Sequence, residues 1–378
     1  MPFLNHPLYS NPSAKTYQHP PDPSQTPLLI RKFHHSLPSY SVSPLIALPT
    51  IANSLGVKAL FIKDESSRLD LPSFKILGAS WGTFRALVAY LDLSLEATGL
   101  DELSSAARAK RIKLFAATDG NHGRAVARMG QLLGLETKIY VPGCLDSYTR
   151  DLIAREGCTV IPVDGDYDTA VRTAHAQANT CCANGILIQD TSFGGYSTIP
   201  SWIVDGYSTL LDELDAQLQQ RFSLHPTHLI VPVGVGSLAH AVVAHYKATQ
   251  PRASVLAVEP ATAPCLYASL TAGTLTPLQT TGTTIMNGLD CGTVSMTAWP
   301  VLRAGVDASI TVSDLEAHQA VEDLAAQGIR LGPCGAAGLA AIRRVAATNA
   351  ASVGLGADSV VVVLGTEGAR PYQVPCSY

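Results

Sequence analysis

Three stretches of this chain hold residues that could do chemistry together. The first is Ser73-Phe74-Lys75-Ile76-Leu77-Gly78, just after the polar run Lys63-Asp64-Glu65-Ser66-Ser67. A lysine flanked by Phe, Ile and Leu is expected in partly apolar surroundings. Burial disfavours the ammonium, which leaves a nucleophilic amine near neutral pH. Such an amine can form a Schiff base with an aldehyde. The second stretch, Thr118-Asp119-Gly120-Asn121-His122-Gly123, offers polar groups on a turn. The third, Val233-Gly234-Val235-Gly236-Ser237-Leu238, follows an apolar strand and opens a helix. There, glycines let the backbone approach an anion, and the N–H groups of the helix start can bind phosphate.

An aldehyde and a phosphate on one cofactor point to pyridoxal 5'-phosphate (PLP). Each stretch also has a plainer reading. Gly234–Leu238 fits a tight strand-to-helix turn without a ligand. No Gly-Lys-Ser/Thr follows it, and His240 stands where a dinucleotide fingerprint has its third glycine. Thr118, Asp119 and Gly120 could hold a substrate carboxylate on main-chain N–H groups, and Asn121 could bond a cofactor hydroxyl. Asp119 is either a catalytic base or a helix cap. His122 is either a helix-face residue or a substrate contact. Asp190 closes a short strand before Thr191-Ser192-Phe193, where a carboxylate faces the cleft or makes an Asx turn. Thr366, in Gly365-Thr366-Glu367-Gly368, could meet a ring nitrogen or serve as a cap.

The elements that must place these groups form a βα alternation. Strands are expected at 57–63, 113–117, 137–141, 159–163 and 186–188, with helices at 78–91, 122–133, 147–156 and 167–178 between them. A second series has a long helix at 202–219, strands at 228–232 and 254–259, and a helix at 238–249. Gly/Thr-rich chain at 261–300 is followed by helices at 314–327 and 335–348 and the apolar strand Ser359–Leu364. Such alternation implies parallel sheets covered on both faces. Residues 1–45, rich in Pro, Ser and His, are expected as an extended arm. The expected division is residues 46–78 plus 190–378 as a larger cofactor domain, and 79–189 as a smaller substrate domain.

Composition narrows the field. The 378 residues are 47% hydrophobic and 15% charged, with a net charge of −4. A pI near 6.2 gives no electrostatic case for nucleic-acid binding. Mean hydropathy is +0.18, yet no apolar run reaches the roughly 18 residues that span a bilayer. Met1-Pro2-Phe3-Leu4-Asn5 is not a secretory signal. A cytoplasmic protein with its eight cysteines reduced is therefore expected. No cysteine or histidine cluster has zinc spacing, so no metal is expected. Adjacent Cys181 and Cys182 suit neither a metal nor a relaxed disulfide. A bond between Cys265 and Cys291 is conceivable, but the compartment argues against it.

Taken together, these stretches resemble the tryptophan-synthase-β-like, fold type II PLP enzymes, and among them the diaminopropionate ammonia-lyases. The resemblance runs from about residue 33 to 368. It is carried by FHHSLPSY, KDESSRLDLPSFKILG, ATDGNHGRAVA, QDTSFGGYSTIPSWIVDGY, VGVGSL, TIMNGLDCG and GTEG. It implies two doubly wound α/β domains with PLP in the cleft between them, and a homodimer. Lys75 would hold the cofactor and remove the Cα proton of an L-amino acid. Asp119 would do so for a D-amino acid, and Asp190 would hold the distal ammonium. The implied reaction is α,β-elimination of 2,3-diaminopropionate to pyruvate and ammonia. The alternative is a serine/threonine-type dehydratase or a β-replacement synthase. The chain departs from the family pattern at Phe193-Gly194-Gly195, where Trp-Glu-Gly is usual, and at Gly365 and Ala369, where a serine and an acid are usual. Those departures bear on the leaving group more than on the scaffold.

Overall fold

A computed structural model of the protein describes residues 7–20, 26–180, 184–278 and 283–376. Cys181 and Cys182 lie outside them. The strands, in chain order, are β1 (Tyr9–Ser10), β2 (Leu45–Ala47), β3 (Ala59–Asp64), β4 (Lys113–Ala117), β5 (Glu136–Pro142) and β6 (Thr159–Val163). They continue with β7 (Gly185–Leu187), β8 (His228–Pro232), β9 (Ser254–Pro260), β10 (Ala308–Val312) and β11 (Val360–Gly365). The chain divides into two compact units. The larger comprises Met1–Ser24, Ser39–Phe74 and Tyr207–Tyr378; the smaller comprises Gln25–Pro38 and Lys75–Gly206.

The larger unit carries a seven-stranded sheet in the order β1-β10-β9-β8-β11-β3-β2. Its five inner strands run parallel, and β1 and β2 close the two edges antiparallel. The all-apolar run Val360–Leu364 lies between β8 and β3, with every residue buried. This is how a central parallel strand with both faces covered should read. The Pro333–Thr348 helix packs Leu339, Ala340, Ile342 and Val345 into the same core. Because β8 and β11 are parallel neighbours, the chain after Pro232 and the chain after Gly365 leave the sheet at its carboxyl end.

The smaller unit has a parallel four-stranded sheet, β6-β5-β4-β7. Its Asn121–Leu133 helix buries Val126, Met129 and Leu133, the apolar stripe read from the sequence, and ends at left-handed Gly134. Neighbouring β4 and β7 send the Thr118 turn and Gln189-Asp190 to the carboxyl end of the sheet.

Several elements differ from expectation. The arm over residues 1–45 is not simply extended. Thr26–Ser36 is a helix, whose Phe33 ring lies 4.6 Å from Phe84 and 5.6 Å from Trp81. The flanking prolines and serines mask its apolar stripe Ile30, Phe33. The single helix expected at 202–219 is two, Thr198–Gly206 and Ser208–Phe222. The first ends at Gly206, packed so closely that a Cβ there would stand 2.6 Å from the Leu77 carbonyl oxygen. The chain leaves the smaller unit at that residue, so 190–206 belongs there and not with the larger unit. Within 261–300, Cys265–Ala272 and Trp299–Gly305 are helical.

A buried charge group anchors the segment that leads to Lys75. Arg68, with no exposed surface, donates to Glu65 and Glu213 at 2.7 Å each. Lys63 Nζ reaches Glu213 at 2.9 Å. Burial would raise the Glu213 carboxyl, but Arg68 and Lys63 bring it down to about 2. Removing one member strands the others. Arg68→Ala should therefore cost about 3–5 kcal/mol in denaturant unfolding. Lys113→Ala, which breaks the exposed pair with Glu136, should cost under about 1 kcal/mol.

Candidate active site

Lys75 opens the Lys75–Tyr90 helix of the smaller unit. Its neighbours Ile76 and Leu77 are buried, while the lysine side chain keeps 21% exposure. Nζ donates to Asp190 Oδ2 at 2.5 Å. The setting thus differs from the apolar one expected: the hydrophobic flanks face the core, and the amine meets a carboxylate.

Asp190 is buried. Burial would raise its carboxyl, yet His122 and Lys75 bring it down to about 2. The His122 ring is pushed down by burial and by Lys75, against the pull of Asp190. His122 is an inward-facing residue, not a solvent-facing one. Its Nε2 lies 2.9 Å from the Ile188 carbonyl oxygen, so Nε2 carries the proton. Its Nδ1 sits 3.7 Å from Asp190 Oδ2.

The turn before the Asn121–Leu133 helix is built by Thr118. Its Oγ1 accepts the Gly120 N–H at 2.9 Å and the Gly123 N–H at 3.0 Å. Of the main-chain donors expected to face a substrate carboxylate, Gly120 is thus used by the turn itself, and the Thr118 N–H donates to the Tyr140 carbonyl at 3.0 Å. Gly120 is the N-cap residue, with half-buried Asp119 before it.

Sequence reasoning missed Gln189. Its Oε1 accepts the Ala117 N–H at 2.9 Å, and its Nε2 donates to Tyr167 Oη at 2.8 Å. The Gln189 N–H in turn donates to Tyr196 Oη at 2.9 Å. Gln189 therefore joins the ends of β4 and β7 just where Asp119 and Asp190 follow. Its only signal was adjacency to Asp190.

In the larger unit, Gly234-Val235-Gly236 connects β8 to the Ser237–Ala248 helix. Gly236 has φ +94°, and a Cβ there would meet Leu302 Cδ1 at 2.8 Å. No side chain of the N-cap residue bonds the helix start. The first N–H groups of a helix lack intrahelical acceptors and carry its positive pole. The Ser237–Ala248 helix therefore presents its positive pole at the end of the glycine turn, an arrangement suited to an anion. Thr366 follows β11, the neighbouring strand. It is buried, and its Oγ1 has no hydrogen-bond partner among the described residues. The capping role considered for Thr366 falls to Glu367, which accepts the Cys334 N–H at 3.1 Å at the start of the Pro333–Thr348 helix. The segment before Lys75 is stitched to this one by a Ser73–Glu367 bridge and by Gly368 N–H to the Pro72 carbonyl, 2.9 Å.

Residues 37–366 match the family "Pyridoxal-phosphate dependent enzyme". The chain belongs to that family. It is 37% identical over 306 residues to diaminopropionate ammonia-lyase of Salmonella typhimurium, covering 79% of this chain and 73% of the relative. To the Escherichia coli K12 enzyme of the same name it is 32% identical, covering 96% and 90%. The crystal structure of the Escherichia coli enzyme in complex with D-serine superposes with a TM-score of 0.86, at 30% identity over 96% of this chain and 93% of that one. The fold is that of the fold type II PLP-dependent lyases.

The residues present fit that cofactor. Lys75 is an amine that can condense with its aldehyde, the turn at Gly234–Leu238 suits its phosphate, and Thr366 Oγ1 is a buried hydroxyl lacking a partner among the described residues. Among the described residues no group of His, Cys, Asp and Glu could hold a metal. No described helix is long and apolar enough to cross a membrane. Cys265 and Cys291 are buried, and neither is in a disulfide.

The orphaned hydroxyl gives a test that separates holding a ligand from holding the fold. Thr366→Val keeps the shape and removes the unsatisfied oxygen. It should stabilise the cofactor-free chain by about 1 kcal/mol in urea unfolding, while loosening retention of PLP in equilibrium dialysis. Destabilisation of the cofactor-free chain would mean that the hydroxyl serves packing.

Proposed function

We propose that this protein catalyses the α,β-elimination of 2,3-diaminopropionate, converting it with one water to pyruvate and two ammonia. The observation that carries this reading is the Asp190 carboxylate: buried, ionised down to about 2, and already in contact with an amine. A substrate with a second amino group needs such an anion to hold its ammonium. A hydroxy amino acid does not. Overall similarity to the diaminopropionate ammonia-lyases supports the same choice.

PLP, when bound, supplies the electron sink that lets a Cα proton leave. The protein supplies the rest. The Lys75 amine would hold the cofactor, and the same amine would take the Cα proton of an L-substrate. Asp119 takes the proton from a D-substrate. Asp190 orients the distal ammonium, which departs as ammonia. The main chain at Gly234–Leu238 anchors the phosphate, and Asn121 and Thr366 orient the ring.

Three measurements test this. Lys75→Ala should abolish the visible absorption band of the purified protein. A band that persists and survives borohydride would remove Lys75 from its role. Asp119→Asn should depress turnover of D-diaminopropionate at least about tenfold more than that of the L-form, a factor worth about 1.4 kcal/mol. Equal losses would end the two-base idea. Product counting on a panel of D- and L-amino acids should give two ammonia per pyruvate with diaminopropionate. One ammonia per keto acid, with serine or threonine as the better substrate, would make the protein a dehydratase.

A further inference from the structure

His122 has a feature that the reading above leaves unused. Its side chain is 5% exposed, and its Nδ1 is buried without a hydrogen-bond partner among the described residues. Nε2 donates to the Ile188 carbonyl, so in the neutral ring Nδ1 carries a bare lone pair. That lone pair faces Asp190 Oδ2, 3.7 Å away. Two electron-rich atoms facing each other in a buried place are unfavourable, and a proton on Nδ1 would convert the contact into an ion pair. The same Oδ2 accepts from Lys75 Nζ at 2.5 Å. One carboxylate oxygen thus lies between two bases.

We propose that His122 is a positioning residue that keeps Asp190 electrically compensated, taking a proton on Nδ1 whenever Lys75 gives up its ammonium charge. The charges balance in both states. With Lys75 as ammonium and His122 neutral, the group sums to zero. With Lys75 neutral and His122 protonated, it again sums to zero. The N–H bond lost at Nζ is matched by the one gained at Nδ1. A buried group tolerates either arrangement far better than a bare carboxylate. The three titrations are consequently those of one coupled set.

The downward push on the His122 ring agrees with the first state, in which burial and Lys75 outweigh Asp190. Among the groups on elements packed around the Asn121–Leu133 helix, Asp190 and Lys75 are the charges that act on this ring. The proposed reaction requires the Lys75 amine to be uncharged when it acts as a nucleophile and when it takes a proton. His122 would hold Asp190 ionised and in place during those intervals, ready for the incoming substrate ammonium.

This inference deepens the reading above, but its test involves no turnover, so the two can fail separately. The full-length chain, labelled with nitrogen-15 histidine and free of cofactor, is titrated by NMR. The His122 signal is assigned by its loss in His122→Gln. In Lys75→Met the His122 ring should titrate about one pH unit or more above its wild-type value, because an uncompensated carboxylate now faces it. Adding Asp190→Asn should return it to wild type or below. Lys75→Gln removes the same charge with a polar chain and serves if the methionine variant does not fold. A His122 ring that titrates no higher without the lysine charge than with it would overturn the proposal, since a purely structural histidine would behave that way.

Discussion

Asp190 must stay ionised in a place that water barely reaches, and the local structure of the smaller unit is arranged around that demand. A carboxylate buried this deeply is unstable unless a charge or several donors meet it. Lys75 meets it from the first turn of one helix and His122 from the first turn of another. The backbone that carries Asp190 is held by Gln189, which spans β4 and β7. Thr118 locks the adjoining turn through two N–H groups. The parallel pairing of β4 with β7 brings these pieces to the carboxyl end of the sheet, which is where open α/β sheets place their ligands.

The larger unit solves a similar electrostatic problem to a different end. Lys63, Glu65, Arg68 and Glu213 are also buried, and two cations balance two anions. Here the group closes on itself: Tyr40, Ser43 and Gln217 bond the charged atoms as well. A closed network of this kind fixes the path of the chain towards Lys75. The group around Asp190 is different, because one ring nitrogen within it is left without a donor or acceptor. Complete satisfaction suits a scaffold; an incomplete set suits a place where protons and amines come and go.

Much of this was legible in the sequence because the chemistry sits on short, strongly patterned segments. Val360–Leu364 reads as a central strand from its apolar run alone. Thr118–Gly123 and Gly234–Leu238 announce themselves as strand-to-helix turns. What local pattern could not supply was the side-chain direction of single residues. Phe74, Ile76 and Leu77 made Lys75 look buried among apolar groups, whereas the first residue of a helix can turn away from the face its neighbours bury. Gln189 carried no signal because its work depends on β4 and β7 becoming neighbours across some seventy residues of chain. The break at Gly206 was hidden for a similar reason. Helical periodicity continues through it, and only close packing against the Leu77 carbonyl demands a glycine there.

Burial alone does not mark a functional acid, and Glu259 shows why. It is fully buried and its carboxyl is pushed up to about 7 by that burial, although donors from Leu266 and Tyr267 pull the other way. Those two N–H groups, at 2.7 and 2.8 Å, belong to the first turn of the Cys265–Ala272 helix. Glu259 is a buried cap of one helix start, with the Ser309 hydroxyl on β10 as a further donor at 3.5 Å. Asp190 has its partner charge on a flexible amine instead, one that the proposed reaction requires to move. Thr366 has no partner at all among the described residues, and Gly236 leaves the start of its helix without a side-chain cap. His122 Nδ1, after β4, and Thr366 Oγ1, after β11, are among the buried polar atoms that lack a partner among the described residues. Under the proposed function Thr366 would find its missing partner in a bound ligand, whereas a purely fold-stabilising role would leave that buried hydroxyl a net cost.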